Sequence, residues 1–299
     1  MTYREFFMAN DPLITMVREG VPSIAKVFGV PFDATSTYRP GSRFGANAIR
    51  EAFMNIEIYS TKLGIDLEEL TIEDLGNLRY TTSVEKMVYS VEKVVSELVS
   101  EKVTFAMLGG EHTATFGAYS ALPNDCALVI FDAHLDLRDS YADLRLSHAT
   151  FLRRLLENRG AQNAIIVGAR AASGEEWRIA DKIGLTIVST NSLYTLKNHQ
   201  KLLEDFLSEF SKVYVSIDLD VLDPAYAPAV SNPEPMGIST FQLLELLYTL
   251  EGKEIVGFDI MELSPPYDNG STACVAAKLL AELICLSYLY KAKQRSHIK

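Results

Sequence analysis

Short apolar, β-branched runs alternate along the chain with longer stretches in which apolar residues recur every three to four positions. The short runs predict strands at 24–30, 103–108, 127–132, 164–168, 185–188, 213–218 and 255–259. The clearest long stretch puts Val84, Met87, Val88, Val91, Val94, Val95 and Leu98 on one helical face, with Ser83 placed to cap its start. Further helices are expected to begin near Thr113, Ser147, Ser173, Asn198, Ser239 and Asn269. Strands that are apolar throughout and separated by helices imply a mostly parallel central sheet covered on both faces. The expected fold class is therefore α/β, three-layered α/β/α. No repeat, low-complexity tract or Gly/Ser linker divides the chain, so residues 1–299 read as a single domain.

Composition narrows the setting. A hydrophobic content of 48% with 22% charged residues allows a large core without covalent staples. The three cysteines, Cys126, Cys274 and Cys285, lack C-x-x-C spacing and sit in apolar company, so all are expected to be buried, reduced thiols. The opening MTYREFFMANDPL carries charges and a proline where a leader needs an apolar run, and no stretch is apolar and charge-free enough to span a bilayer. The most apolar late segment, 273–290, is interrupted by Lys278 and Glu282 and reads as a core helix. A cytoplasmic protein with no membrane partner is expected. A formal net charge of −11 lacks the basic footprint that nucleic acid demands and favours a small cationic ligand.

The ends of the predicted strands carry the chemistry. After the apolar run ALVI comes FDAHLDLRD, with Asp132, His134 and Asp136 spaced two apart, so an extended backbone would project them to one side. VYVSIDLDVLDP repeats the design with Asp218 and Asp220, and VTFAMLGGEHT ends in a Gly-Gly turn followed by Glu111 and His112. Four carboxylates converging on one cleft would repel one another and raise their own pKa values unless cations compensate. Two divalent ions balance four negative charges. Oxygen donors with some imidazole and no thiolate favour manganese over zinc, with magnesium disfavoured by the imidazoles. Carboxylates bridging two ions hold them about 3.5 Å apart, the spacing at which a shared water is acidified. A binuclear metal hydrolase site follows.

GGEHT, DAHLD and SIDLDVLDP, in this order, resemble the metal-binding signatures of the ureohydrolases, the family of arginase, agmatinase and relatives. YRPGSRFGANAIR, SHATFLRRL and FDIMELSPPYD extend the likeness from about Phe32 to Tyr267. The resemblance implies an arginase-like fold and two Mn2+ ions. His112, Asp132, Asp136 and Asp218 would hold one ion; Asp132, His134, Asp218 and Asp220 would hold the other, with Asp132 and Asp218 bridging. It further implies that His148 shuttles a proton to the leaving amine and that Glu262 pairs with the substrate guanidinium. A planar guanidinium does need a carboxylate that is not neutralised by metal, and a leaving amine does need a proton. His199 and His297 receive no role.

The implied reaction is hydrolysis of a guanidinium compound to urea and an amine. Arginases carry an asparagine two residues after DAHxD and an aspartate in a later loop; here those places hold Arg138 and the stretch Ala171, Ala172, Ser173. The resemblance is accordingly closer to agmatinases, which implies cleavage of agmatine to putrescine plus urea. Guanidinobutyrate or guanidinopropionate would suit the site if Arg138 or Arg170 formed a basic distal pocket. Arginine, or a binding role without catalysis, are the remaining alternatives. Glu175 and Glu176, beside Trp177, could meet a distal ammonium or could simply open a helix. The resemblance also implies a homo-oligomer, trimer or hexamer.

Overall fold

The computed structural model describes residues 3–8, 14–195 and 199–297. Its strands are β1 (Ala25–Gly29), β2 (Tyr59–Ser60), β3 (Ile65–Asp66), β4 (Ile72–Asn77), β5 (Thr104–Leu108), β6 (Cys126–Phe131), β7 (Ala164–Ala169), β8 (Thr186–Ser189), β9 (Lys212–Asp218) and β10 (Glu254–Met261). All except β2 and β3 form one sheet in the order β4-β1-β5-β10-β9-β6-β7-β8, with every pairing parallel. The helices are α1 (Gly45–Phe53), α2 (Val84–Ser100), α3 (Ala114–Ser120), α4 (Phe151–Arg159), α5 (Gly174–Ile183), α6 (Thr190–Thr195), α7 (His199–Ser208), α8 (Thr240–Tyr248) and α9 (Ser271–His297).

Side chains alternate across the sheet and build a core on each face. Ala127, Val129 and Phe131 of β6 pack with α1, α6, α7, α8 and α9, whereas Cys126, Leu128 and Ile130 pack with α2, α3, α4 and α5. The architecture is the three-layer α/β/α domain that the alternation predicts, and each of the seven expected strands is present. Ser83 caps α2 by accepting from the Lys86 amide, and Ser173 and Ser239 each complete a capping box, with Glu176 and Gln242.

Some elements escaped the pattern. β4 lies at the sheet edge and reads IEDLGN, poor strand residues whose polar groups are used locally. Asp74 receives the buried guanidinium of Arg50 from α1 at 2.8 and 2.9 Å. That pair explains how the short, Ala- and Gly-rich α1 is held in place. α4 begins at Phe151, several residues after Ser147, because 147–150 form a turn in which the Ser147 amide donates to Thr150 Oγ1. The helix start expected near Asn198 and part of the MTYREFFMANDPL stretch lie outside the described residues.

Cys126 and Cys285 are buried and unpaired, as expected, but Cys274 is exposed. It sits in the first turn of α9 on the side away from the sheet, so apolar neighbours in sequence did not imply burial there. The stretch Ser271–Gln294 is, by length and composition alone, apolar enough to cross a membrane, contrary to expectation. Yet 72% of its most apolar window is buried inside the fold. Its charges do not interrupt that burial. Lys278 pairs with Glu282 at 2.9 Å, and Glu282 accepts a 2.6 Å bond from Ser60. α9 is a core helix.

Candidate metal centre

The four central neighbours β5, β10, β9 and β6 all end at the same edge of the sheet, and every candidate residue except His148 follows one of them. Ligand sites in open α/β sheets form beyond these carboxyl ends. After β5, Gly109 and Gly110 take φ of +66° and +78°. A side chain at Gly110 would collide with the Val30 carbonyl oxygen and approach that of Phe32 to 3.0 Å. The double glycine therefore lets the chain turn tightly and present Glu111 and His112 to the cleft.

His112 is fully sequestered. Its Nε2 lies 2.8 Å from Ser216 Oγ, and Ser216 donates to Asp259 Oδ1 at 2.7 Å. Asp259 also accepts from Tyr214 and Thr115, at 2.6 and 2.8 Å, so three hydroxyls anchor this buried carboxylate. The arrangement turns Nδ1 toward the centre, 2.9 Å from Asp132 Oδ2, 3.3 Å from Asp218 Oδ2 and 3.7 Å from Asp136 Oδ2. None of these contacts is aligned as a hydrogen bond, which leaves Nδ1 a buried nitrogen without a hydrogen-bond partner among the described residues. A convergent lone pair beside three carboxylates is what a cation would satisfy. Asp259 and Ser216 stand as polar residues inside otherwise apolar strands, a signal that could have marked them in the sequence. Substituting Asp259 by Asn is expected to weaken metal binding about 10- to 100-fold, read by metal titration, with the fold retained.

On the other side, His134 Nδ1 lies 2.9 Å from Asp220 Oδ2 and 3.7 Å from Asp132 Oδ1. Two ligand sets thus form, His112–Asp132–Asp218 and Asp132–His134–Asp220, each with donor atoms within 4.8 Å of one another. Asp132 belongs to both. Asp218 belongs to the first set only, and Asp136 stands beside it. The alternation argument holds for Asp132 and His134. Asp136 reaches the centre differently: its backbone turns into the left-handed region at φ +48°. Strain of that kind collects at functional sites.

Electrostatics agrees with a cation site. Burial would lower the imidazoles, but Asp132 and Asp218 hold His112, and Asp220 and Asp132 hold His134, well above the ordinary histidine range. Burial, together with Asp132 for one and Asp220 for the other, drives Asp136 and Asp218 well above the usual carboxylate range. Protons stand in here for missing positive charge. The donor set fits two divalent ions.

Glu262 follows β10 with φ +68°, and its Oε1 accepts from the His112 amide at 2.7 Å. Oε2 is buried without a hydrogen-bond partner among the described residues. Burial pushes this carboxyl up to about 8; Glu111 adds to the rise, and Ser231 and the His112 amide oppose it. His148 comes from the turn before α4. It contacts Thr35 through Nδ1 at 3.1 Å and Thr37 through Nε2 at 3.4 Å. Burial, with His134 and His112 nearby, lowers its ring to about 4. All the candidates meet at one cavity of about 400 Å³, which His112, His134, Asp136, Asp218, Asp220, His148 and Glu262 line and beneath which Asp132 lies buried.

The cavity is also lined by Arg138, Tyr141, Glu176 and Glu234, the last with its Oε1 3.8 Å from His134 Nε2. Arg138 lies 3.5 Å from Glu176 and stacks over Tyr141, its guanidinium carbon 4.8 Å from the ring centre. Glu176 is the capping residue of α5 and also accepts from the Leu137 amide at 3.2 Å. Arg170 is consumed by main-chain carbonyls, including those of Asp220 at 2.6 Å and Glu234 at 2.8 Å. Arg170 therefore has little left to offer a ligand, whereas Arg138 lines the cavity beside Glu176.

Comparison with known proteins agrees with this geometry. The model of the "Arginase family" matches residues 24–285. The chain is 37% identical over 264 residues to the agmatinase of Pyrococcus horikoshii, covering 87% of this chain and 91% of that one. It is 38% identical over 258 residues to the N(1)-aminopropylagmatine ureohydrolase of Thermococcus kodakarensis, covering 85% of this chain and 87% of that one. The crystal structure of the agmatine ureohydrolase of Thermoplasma volcanium superposes with a TM-score of 0.88 at 39% identity, covering 97% of this chain and 98% of that one. A family match over most of the chain, on the same fold and with paired His/Asp ligand sets, has one reading: the chain belongs to the arginase family.

Proposed function

We propose that the protein is a binuclear manganese hydrolase acting on C–N bonds of linear amidines, and that it cleaves agmatine to putrescine and urea. His112, Asp132, Asp136 and Asp218 would hold one ion, and Asp132, His134, Asp218 and Asp220 the other. The absence of thiolate and the excess of carboxylate over imidazole support manganese. When bound, the pair of ions supplies a nucleophile from water at neutral pH.

The protein's own residues do the rest. The unpartnered Glu262 Oε2 carries the substrate assignment: it is a buried acceptor opening on the cavity, and a cationic guanidinium would satisfy and neutralise it. His148, neutral at rest because its ring is held low, takes up a proton and delivers it to the departing amine. The rest of the lining supports a dication over a carboxylate-tailed substrate. Arg170 is spent on main-chain carbonyls and Arg138 lies beside Glu176, while the half-exposed Glu234 reaches the same cavity. Glu176 and Glu234 together outweigh the single cation Arg138, so the ammonium of agmatine meets a net acidic lining that disfavours a carboxylate tail.

The test is urea release by the Mn(II)-loaded enzyme from agmatine, N(1)-aminopropylagmatine, arginine and guanidinobutyrate side by side. Agmatine is expected to have the highest kcat/KM, with arginine and guanidinobutyrate lower by at least about 10²-fold, the size of a missing or unpaired polar contact. A preference for guanidinobutyrate would overturn the substrate assignment, and one for aminopropylagmatine would move it to the longer amine. The proposal extends to a cytoplasmic homo-oligomer, a trimer or hexamer, which light scattering on the purified protein tests.

A further inference from the structure

We infer that Thr35 is a positioning residue that fixes the ring tautomer of His148, leaving Nε2 as the atom that carries the proton. This rests on the reading of His148 as proton carrier and adds how the fold makes it competent.

Thr35 lies in the loop after β1, which is pinned by Asp33: its carboxylate accepts from the Gly41 amide at 2.9 Å and pairs with Arg43 at 2.7 Å. The Thr35 hydroxyl meets three groups at once. It lies 2.5 Å from Glu111 Oε1, it accepts from the His148 amide at 3.1 Å, and it lies 3.1 Å from His148 Nδ1. A hydroxyl has one proton and two lone pairs. Glu111 collects three donors, the Thr35 amide at 2.8 Å and the hydroxyls of Thr35 and Thr113 at 2.5 Å each, and is wholly buried. In that role it is an acceptor, so the single Thr35 proton points to it.

Both lone pairs of Thr35 then face His148. One takes the amide proton, and the other can be satisfied only by an N–H on Nδ1. The opposite tautomer would set the Nδ1 lone pair against an oxygen lone pair at 3.1 Å inside a buried site. With the proton held on Nδ1, the basic nitrogen is Nε2. It lies 3.4 Å from Thr37 Oγ1, and both His148 and Thr37 line the cavity.

The proton balance follows. Guanidinium plus water gives urea plus alkylammonium, so both protons of the consumed water end on the amine nitrogen. The bond between that nitrogen and the guanidinium carbon breaks with its electron pair staying on nitrogen. His148 Nε2 takes up one of the two protons and releases it to that pair, so the ring is unchanged over a cycle. Thr35 touches neither substrate nor water in this scheme; it acts through His148.

Long-range 1H–15N correlation spectra of histidine-labelled protein, metal-free and loaded with diamagnetic Zn(II), read the tautomer directly, with His148 assigned from the signal lost in His148→Asn. The Nδ1–H form is expected in the wild type, and a mixture of tautomers in Thr35→Val. In the Mn(II)-loaded enzyme Thr35→Val should lower kcat about 10- to 100-fold with KM and metal content unchanged, part of the rate that a positioned acid or base supplies. Thr35→Ser, which restores the hydroxyl, should return kcat to within about threefold of wild type, a recovery a purely packing role would not produce. An Nε2–H tautomer in the wild type, or an unchanged kcat in Thr35→Val, would overturn the inference. Should Thr35→Val not fold, the wild-type spectrum and the Thr35→Ser rate still decide it. Wild-type kcat in His148→Asn would instead overturn the underlying role of His148, and the two failures separate because the tautomer is read without catalysis.

Discussion

Asp218→Ala is expected to lose metal and turnover together while the fold survives. The carboxylate is buried at the end of β9, 3.3 Å from His112 Nδ1, and its Oδ1 accepts from the Asp220 amide at 2.8 Å. Alanine removes a donor, a negative charge and the cap on the short 3-10 turn Leu219–Val221. Loss of such a cap costs about 1 kcal/mol. Against that, Asp218 is buried beside Asp220 and Asp132, and its removal relieves repulsion in the metal-free protein. The metal-free variant should therefore melt within a few degrees of the metal-free wild type. What disappears is the stabilisation by Mn(II): about 2.7 kcal/mol for the wild type at 100-fold excess over Kd, roughly 4 °C in Tm for a chain of this length. Turnover should fall by at least about 10³-fold, the equivalent of roughly 4 kcal/mol of lost transition-state stabilisation. Metal analysis after gel filtration, melting curves with and without Mn(II), and urea release check the three parts.

Glu262 separates binding of metal from binding of substrate. Glu262→Gln keeps the shape and the acceptor for the His112 amide but cannot offer a full negative charge to a guanidinium. Removing one member of a buried charged pair costs about 2–5 kcal/mol, so kcat/KM should fall by roughly 30- to 5,000-fold with metal content unchanged. Glu262→Ala should keep its metal and lose turnover as well, although it also strands the buried His112 amide, at about 1–3 kcal/mol of stability. Normal turnover in Glu262→Ala would show the assignment of the guanidinium partner to be wrong.

Much of the site was legible because its parts stand at strand ends. Asp132 and His134 obey the two-residue alternation of an extended chain, and Asp218 and Asp220 stand at the end of the mostly apolar β9, so their convergence is a consequence of the parallel sheet. Asp136 also reaches the cavity, but it arrives by a left-handed turn, which residue spacing does not encode. Glu176 was open between a ligand role and a helix start; the capping box with Ser173 and the pairing with Arg138 give it structural work at the cavity wall. Which partners support His112 and His148 was not legible, although Ser216 and Asp259 stand out as polar residues within apolar strands. Ser216 and Thr35 touch those rings, and Asp259 and Glu111 hold Ser216 and Thr35 in turn, across sequence separations that only the folded topology closes. β4 was missed because its polar residues, Asp74 among them, serve the buried Arg50 rather than an apolar pattern, and α1 because its apolar face, Ala46, Ile49 and Phe53, spans only nine residues.

The central claim is that the His/Asp cluster holds two ions which turn this cavity into a guanidinium hydrolase. Its most direct test is a titration of the metal-free protein with Mn(II), following ions bound per chain and urea released from agmatine in the same samples. Two ions per chain are predicted, with urea release rising as the second site fills and absent in the metal-free protein. Two bound ions with no urea from agmatine or any other guanidinium compound, or full urea release without metal, would contradict it.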